Sequence, residues 1–162
     1  MISVGDQLPD AVLTRIGDDG PEQVQLSSKL KGRKVVIFAV PGAFTSTCHS
    51  AHVPSFIRTK DQFAAKGVDE IICLAGNDPF VMSIWGDNTG ATDAGITMLS
   101  DAECTFTEAI GMRFDAPPAG LIGRSLRYAM LVEDGEVKIL NKEENPGQCE
   151  LSAGEGLLDS MG

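Results

Sequence analysis

The segment that ends in Cys48 combines residue types that suit nucleophilic chemistry better than packing. Residues 41–48 are PGAFTSTC, in which a proline, a glycine and three hydroxyl residues lead into the thiol. The thiolate is the nucleophilic form of cysteine, and hydroxyl groups can donate hydrogen bonds to a sulfur or to a bound oxygen. Cys48 is therefore the candidate nucleophile, and Thr45 and Thr47 are candidate donors.

The elements around Cys48 place it at the start of a helix. Residues 34–40, KVVIFAV, form an apolar run rich in β-branched residues, which predicts a strand buried on both faces. A helix should begin near Ser46 or Thr47 with a hydroxyl N-cap, and Pro54 should kink it. Unpaired amides and the helix dipole at that end favour a thiolate. The alternative is a structural thiol, because cysteine packs well in buried positions.

The remaining segments alternate between strand and helix patterns. They predict a strand at 70–75, a helix capped by residues 77–79, a short strand at 97–99, a short helix before Gly111, a hairpin through Asp134-Gly135 and a last helix capped by Ser152. A parallel unit, an antiparallel hairpin and a closing helix together indicate an α/β thioredoxin-like fold, with a central mixed sheet flanked by helices. Residues 1–30 should add an N-terminal extension, a small hairpin in a further layer.

Length and charge exclude several classes of function. The chain has 162 residues, which predicts a single domain over 1–162 with a closed core. The formal net charge is −10 without a cluster of Lys or Arg, which argues against nucleic acid and anionic membrane partners. The N-terminal sequence lacks a signal-peptide pattern, and no apolar run reaches bilayer length. We therefore expect a cytoplasmic protein with reduced thiols.

Several motifs resemble the peroxiredoxin family. VPGAFTSTC is similar to the active-site pattern P-x-x-x-T-x-x-C of that family, with Pro41, Thr45 and Cys48 in register. The segments VGDQLPD, HVPSF, GVDEIICLAGNDPFVMSIWG and GRSLRYAMLVEDGEVKILN resemble its peroxiredoxin-five subfamily, also called type II. The resemblance implies that Pro41 shields Cys48, while Thr45 and an arginine bind the peroxide oxygens and hold the thiolate. That arginine corresponds to Arg127, and Arg124 is a second candidate.

The same resemblance implies a reaction and its partners. Hydrogen peroxide and alkyl hydroperoxides would be reduced, and Cys48 would become a sulfenic acid. No metal, flavin or haem is implied, whereas an external thiol reductant is required. Cys73 or Cys149 could resolve the sulfenic acid, or glutathione with glutaredoxin, or thioredoxin, could do so from outside. Family members often form homodimers, so a homodimer is expected, and Cys104 matches no function in the family.

Two alternatives remain open at the level of the residues. One is a redox sensor or binding protein on the same scaffold, in which oxidised Cys48 signals to a partner. The other is a zinc site, because Cys48 and His52 are four residues apart on one helix face and His49 lies between them. A complete peroxide clamp of Thr45 and Arg127 favours the peroxidase over the sensor. Structural zinc normally needs four ligands, and the local sequence offers at most three.

Overall fold

A mixed sheet positions the Cys48 segment. Over residues 1–145 and 147–162, which the computed structural model describes, this sheet has seven strands. The strands of the structure are β1 (Val12–Gly17), β2 (Gly20–Gln25), β3 (Lys34–Ala39), β4 (Glu70–Ala75), β5 (Thr97–Ser100), β6 (Arg113–Ala116), β7 (Leu121–Ser125), β8 (Tyr128–Glu133) and β9 (Glu136–Lys142). The helices are α1 (Leu26–Leu30), α2 (Val53–Ala65), α3 (Pro79–Thr89), α4 (Thr105–Ala109) and α5 (Gly154–Met161).

The sheet has the predicted thioredoxin-like plan. Its strand order is β2-β1-β5-β4-β3-β8-β9. The pairs β3–β4 and β4–β5 are parallel, whereas β8 runs antiparallel to β3 and β9 antiparallel to β8. Asp134 and Gly135 have φ angles of 50° and 81°, which the tight turn between β8 and β9 requires. The α/β thioredoxin-like fold expected from the sequence is therefore confirmed.

The N-terminal hairpin forms as expected, but it does not make a separate layer. Strand β1 pairs with β2 and also meets β5 at Thr14 and Ser100, so the hairpin extends the edge of the central sheet. Leu13 and Val24 are buried on it. Burial of these side chains against the core explains why the hairpin joins the sheet instead of packing elsewhere.

The segment 113–125 holds a feature that the sequence did not predict. Strands β6 and β7 form a separate two-stranded sheet, joined through a short 3-10 turn at Pro117–Ala119. Phe114 pairs with Arg124 across it, and the register shifts between Phe114 and Ala116. Two prolines, two glycines and irregular alternation weaken the usual strand signals here.

Both faces of the sheet are covered, which explains the unbroken apolar run of β3. Phe38 stacks on Phe56 of α2, with ring centroids 4.1 Å apart, and Leu157 of α5 packs in the same core. The opposite face buries Ile37 with Phe106 of α4. None of the helices in the described ranges is long and apolar enough to cross a bilayer.

Of the caps predicted for α3 and α5, the first is confirmed and the second is wrong. Asp78 caps α3 as expected, since its carboxylate accepts a hydrogen bond from the Val81 amide at 2.9 Å. Ser152 does not cap α5, which begins at Gly154 after Ala153. The Ser152 hydroxyl instead donates to the Glu143 carboxylate at 2.6 Å. A tertiary acceptor with a full charge has replaced the local capping bond.

Candidate active site

Cys48 lies where the chain leaves β3 and turns into a helix. The helical segment begins at Ser46, and residues Cys48–His52 form a π-helical turn that leads into α2. The Val53 amide donates to the Cys48 carbonyl, five residues back. Pro54 has no amide hydrogen to bond the Ser50 carbonyl in α-helical register, so the predicted kink takes the form of this turn.

The hydroxyl N-cap expected for this helix is wrong. Thr47 already has helical backbone angles, and its side chain makes no capping bond. Its hydroxyl donates to the Gly147 carbonyl at 3.1 Å, across 100 residues of sequence. The Thr45 hydroxyl donates to the Gly42 carbonyl at 2.7 Å. Both hydroxyl hydrogens are therefore used on carbonyl oxygens instead of on the sulfur.

The sheet register brings Arg127 to Cys48. Tyr128, the first residue of β8, pairs with Ala39, the last residue of β3, so Arg127 lies just beyond the end of β3. Its Nη2 donates to Cys48 Sγ at 3.0 Å. The exposed fractions of the two residues are 2 % and 0 %. A guanidinium keeps its charge in proteins and is costly to bury without an anionic partner, which a thiolate provides.

His52 binds the other side of the same guanidinium. Arg127 Nη1 lies 2.9 Å from His52 Nδ1, and because arginine can only donate, Nδ1 must accept. His52 Nε2 lies 2.9 Å from the Ser152 carbonyl oxygen and must therefore carry the hydrogen. Burial, reinforced by the charge of Arg127, lowers the pKa of His52 to about 3 despite the opposing bond to Ser152. The imidazole is thus neutral, with a fixed tautomer.

Arg124, the second arginine candidate, holds the loop before Cys48. Its Nη1 donates to the Pro41 carbonyl at 3.1 Å, and Asn77 fixes the same loop by accepting from the Ala43 amide at 2.8 Å. A Cβ atom on Gly42 would lie 2.7 Å from Arg124 Nη1, which explains a glycine at this position. The structure therefore assigns Arg127 to the sulfur and Arg124 to the backbone of the loop.

A cavity of about 320 Å³ opens beside this cluster. Pro41, Thr45 and Arg127 are among the residues that line it. Phe114 and Leu121, from β6 and β7, form apolar walls. The segment that sequence patterns missed thus shapes the approach to the candidate site.

Comparisons with known proteins give the family. Residues 3–158 match the Redoxin family model. Over 99 % of its length the chain is 44 % identical to chloroplastic peroxiredoxin-2E-2 of Oryza sativa subsp. japonica, of which it covers 72 %. The chain is a peroxiredoxin. It is therefore a thiol-dependent peroxidase, an oxidoreductase, as the sequence motifs predicted.

Solved structures agree with this family. Reduced Prx3 in complex with H2O2 from Vibrio vulnificus superposes with a TM-score of 0.93 at 41 % identity, covering 100 % of both chains. Peroxiredoxin 5 from Alvinella pompejana superposes with a TM-score of 0.84 at 32 % identity, covering 99 % of this chain and 98 % of that one. The peroxiredoxin fold thus extends over the whole of this chain.

The other cysteines of this peroxiredoxin differ in exposure, and all four thiols are free. Cys73 is fully buried in β4, and burial raises the pKa of its thiol well above the ordinary value. Cys149 is half-buried, and burial also raises its pKa, partly offset by the charge of Arg127. Cys104 is buried at the start of α4 with a φ of 62°. Cys149 is thus the most accessible thiol in the described structure.

The zinc hypothesis finds no converging ligands in this peroxiredoxin. His49 Nδ1 accepts a hydrogen bond from Trp85 Nε1 at 3.0 Å, and its ring stacks against Phe44 at 5.9 Å. His52 and Cys48 both face Arg127, a permanent cation. Within residues 1–145 and 147–162, no three His, Cys, Asp or Glu side chains are grouped as metal ligands.

The bond between Trp85 and His49 should stabilise the fold. Replacing His49 with leucine leaves the buried indole N–H without an acceptor, which costs about 1–3 kcal/mol. His49→Asn places an oxygen near the position of Nδ1 and should retain much of that stability. Urea unfolding followed by circular dichroism measures the difference. Equal stabilities of the leucine and asparagine variants would contradict this role.

The buried neutral His52 should make the protein sensitive to acid. Its pKa is about 3 in the folded state and 6.5 ordinarily, so between these values the unfolded chain binds a proton that the folded protein does not. Stability should therefore fall as pH falls through this window, by up to about 1.4 kcal/mol per pH unit. Urea unfolding from pH 7 to pH 4 measures the slope. His52→Gln should have a shallower slope, and identical slopes would refute the assignment.

Proposed function

We propose that this peroxiredoxin reduces hydrogen peroxide and alkyl hydroperoxides through a sulfenic acid at Cys48. The observation that carries the proposal is the 3.0 Å contact between Arg127 Nη2 and Cys48 Sγ, both buried. A cationic donor in this position stabilises a thiolate and can also bind an oxygen that approaches it. The complex of the Vibrio vulnificus protein with H2O2 supports the same substrate for this chain.

The proposed first step is displacement at oxygen. The Cys48 thiolate attacks one peroxide oxygen, an S–O bond forms and the O–O bond breaks. The electron pair leaves with the other oxygen, which takes a proton and departs as water or an alcohol. Lowering the basicity of a thiol also lowers its nucleophilicity, so stabilisation of the leaving oxygen must supply much of the rate. One preorganised donor contributes about 3 kcal/mol to such a barrier, and Arg127 is positioned for this role.

Thr45 and Pro41 are proposed to orient and shield the peroxide. Because the Thr45 hydroxyl donates to Gly42, its oxygen is left to accept a hydrogen bond from the peroxide O–H. Pro41 lines the same cavity and limits access of water. This step oxidises the sulfur directly, so it requires no metal, flavin or haem.

The cavity supports a substrate class beyond hydrogen peroxide. Phe114, Ala116 and Leu121 give it an apolar wall. Such a wall can bind the alkyl group of an organic hydroperoxide through the hydrophobic effect.

We further propose that the chain belongs to the type II, or peroxiredoxin-five, subfamily. Its similarity to peroxiredoxin 5 from Alvinella pompejana supports this assignment.

The reductant and resolving thiol form a second part of the proposal. Cys73 is fully buried in the core, which argues against rapid exchange. Cys149 is half-buried and lies two residues after Gly147, whose carbonyl accepts a hydrogen bond from Thr47 beside Cys48, so it is the better internal candidate. We favour an external thiol, which would be either glutathione together with glutaredoxin, or thioredoxin.

We also propose a cytoplasmic location, because the cytosol would supply such reductants. Cell fractionation tests this location.

A homodimer is proposed from an exposed apolar group beside the Cys48 loop. Phe44, Phe80 and Ile84 are 48 %, 61 % and 56 % exposed. Phe80 and Ile84 lie one turn apart on α3, the helix that also carries Trp85, whose ring centroid is 6.4 Å from that of Phe44. A second copy of the chain could cover these side chains. Sedimentation of Ile84→Asp beside the wild type tests the assignment.

Intact mass after one equivalent of peroxide tests the reaction directly. We expect the protein to gain one oxygen atom if an external thiol resolves Cys48, and to lose two hydrogen atoms if an internal disulfide forms. In Cys149→Ser and Cys73→Ser the first oxidation should persist, and the variant that loses the disulfide identifies its partner. Absence of any mass change in the wild type would refute the proposed function.

A further inference from the structure

Arg127 is held between two acceptors that lie on the same helical turn. Its Nη2 donates to Cys48 and its Nη1 to His52, at 3.0 and 2.9 Å. Cys48 and His52 begin and end the π-helical turn, so the guanidinium bridges its two ends. Arg127 and both partners are at most 2 % exposed, and water cannot readily replace either contact. His52 therefore helps to hold the guanidinium on the sulfur.

His52 is in turn bound to a segment almost 100 residues further along the chain. Its Nε2 donates to the carbonyl of Ser152. Ser152 belongs to a stretch of residues 147–153 between β9 and α5, which we call the C-terminal loop. Cys149 lies in this loop, and Thr47 contacts its first residue through the Gly147 carbonyl.

The C-terminal loop is itself organised by Glu143. One carboxylate oxygen of Glu143, Oε2, accepts from the Glu150 amide at 2.7 Å and from the Ser152 amide at 2.9 Å. The same oxygen accepts from the Ser152 hydroxyl. The Glu143 amide donates to the Arg127 carbonyl at 3.0 Å. Hydrogen bonds therefore form a closed ring through Arg127, His52, Ser152 and Glu143. Glu143 is 4 % exposed, and these bonds lower the pKa of its carboxyl against the effect of burial.

We propose that His52 is a positioning residue that holds Arg127 on Cys48 and couples this contact to the C-terminal loop, so that displacing the loop weakens the clamp on the sulfur. The proposal rests on the proposed function and concerns its regulation. A neutral imidazole has one acceptor and one donor, and here both are used, one toward Arg127 and one toward the loop. Loss of the Ser152 carbonyl would remove one of the two bonds that fix the orientation of the ring.

The coupling suggests how a reductant could act on the site. A partner that reaches Cys149 must engage the C-terminal loop, which carries both that thiol and the Ser152 carbonyl. Movement of the loop would free His52, and Arg127 would then hold Cys48 less firmly. The sulfur would thus be released from its clamp when the loop is engaged.

The test measures ionisation of Cys48 without peroxide. In a background where Cys73, Cys104 and Cys149 are serine, the rate of alkylation by iodoacetamide across pH reports the thiolate of Cys48. His52→Leu removes both bonds and should move the titration to higher pH, with at least about a tenfold loss of kcat/KM for peroxide. His52→Asn keeps an acceptor for Arg127 but cannot reach Ser152, and it should give an intermediate shift.

Glu143→Gln tests the coupling at a distance. It weakens the hydrogen bonds that the Glu143 carboxylate makes to the C-terminal loop, and it changes no residue that contacts Cys48. The titration of Cys48 should therefore move in the same direction as in His52→Leu. Glu155→Gln, an exposed change near the start of α5, serves as the matched control and should leave the titration unchanged. Unchanged titrations in His52→Asn and Glu143→Gln would overturn the proposal even if His52→Leu failed to fold. A wild type that consumes no peroxide, with these shifts present, would refute the proposed function alone.

Discussion

Serine in place of Cys48 is expected to abolish thiol-dependent peroxide consumption. The serine hydroxyl stays protonated near neutral pH, and it lacks the sulfur atom that attacks the peroxide and becomes a sulfenic acid. The loss should exceed about a thousandfold, or about 4 kcal/mol of barrier. Peroxide consumption in the presence of an external thiol, followed with equal amounts of folded wild type and variant, measures it.

The other cysteines provide the matched controls for Cys48→Ser. Cys104→Ser, Cys73→Ser and Cys149→Ser should each keep the first oxidation step, because the sulfur that accepts the hydrogen bond from Arg127 Nη2 is that of Cys48. Buried Cys73 and Cys104 test whether loss of activity follows from disturbed packing. A Cys48→Ser protein that reduces peroxide at the normal rate would exclude Cys48 as the nucleophile.

Replacing Arg127 should have the second-largest effect. Arg127→Ala removes the donor 3.0 Å from the sulfur, and it should lower kcat/KM at least about tenfold and as much as about a thousandfold. Arg127→Lys keeps a positive charge, but a single ammonium lacks the planar fork that meets both Cys48 and His52. We therefore expect lysine to restore only part of the rate. Single-turnover kinetics at several peroxide concentrations would measure both variants.

Arg124 is the natural comparison for Arg127. It bonds the Pro41 carbonyl, so Arg124→Ala should loosen the loop before Cys48 and affect the rate less than Arg127→Ala. If Arg127→Ala leaves the rate constant unchanged while Arg124→Ala reduces it, the clamp belongs to Arg124. One pair of variants can thus distinguish the roles of the two arginines, which are three residues apart.

Local signals predicted much of the fold because they coincide with tertiary demands. The apolar run of β3 is stable only as a strand that is covered on both faces. The Asp134-Gly135 pair favours the positive φ angles of a tight hairpin turn. Segment 113–125 was missed because its prolines and its irregular register weaken strand periodicity. The capping role given to Ser152 was wrong because Glu143, nine residues earlier, offers its hydroxyl a charged acceptor.

The candidate site was predicted in its residues but not in its connections. The family resemblance named Pro41, Thr45, Cys48 and Arg127, and the structure places Arg127 on Cys48 with Pro41 and Thr45 lining the adjacent cavity. His52 carried a usable signal, because a residue four positions after Cys48 shares its helix face. Its bond to Ser152 spans 100 residues and depends on tertiary packing, which no local pattern encodes.

Trp85 is the single tryptophan of the chain, and its indole is hydrogen-bonded to the residue that follows Cys48. Tryptophan emission from the unlabelled protein therefore comes from one buried indole that is bonded to the residue next to Cys48. Each rearrangement of the π-helical turn during turnover would change its quenching by the neighbouring imidazole. The chain thus contains its own optical probe, and stopped-flow spectroscopy can follow oxidation and recovery without an added dye.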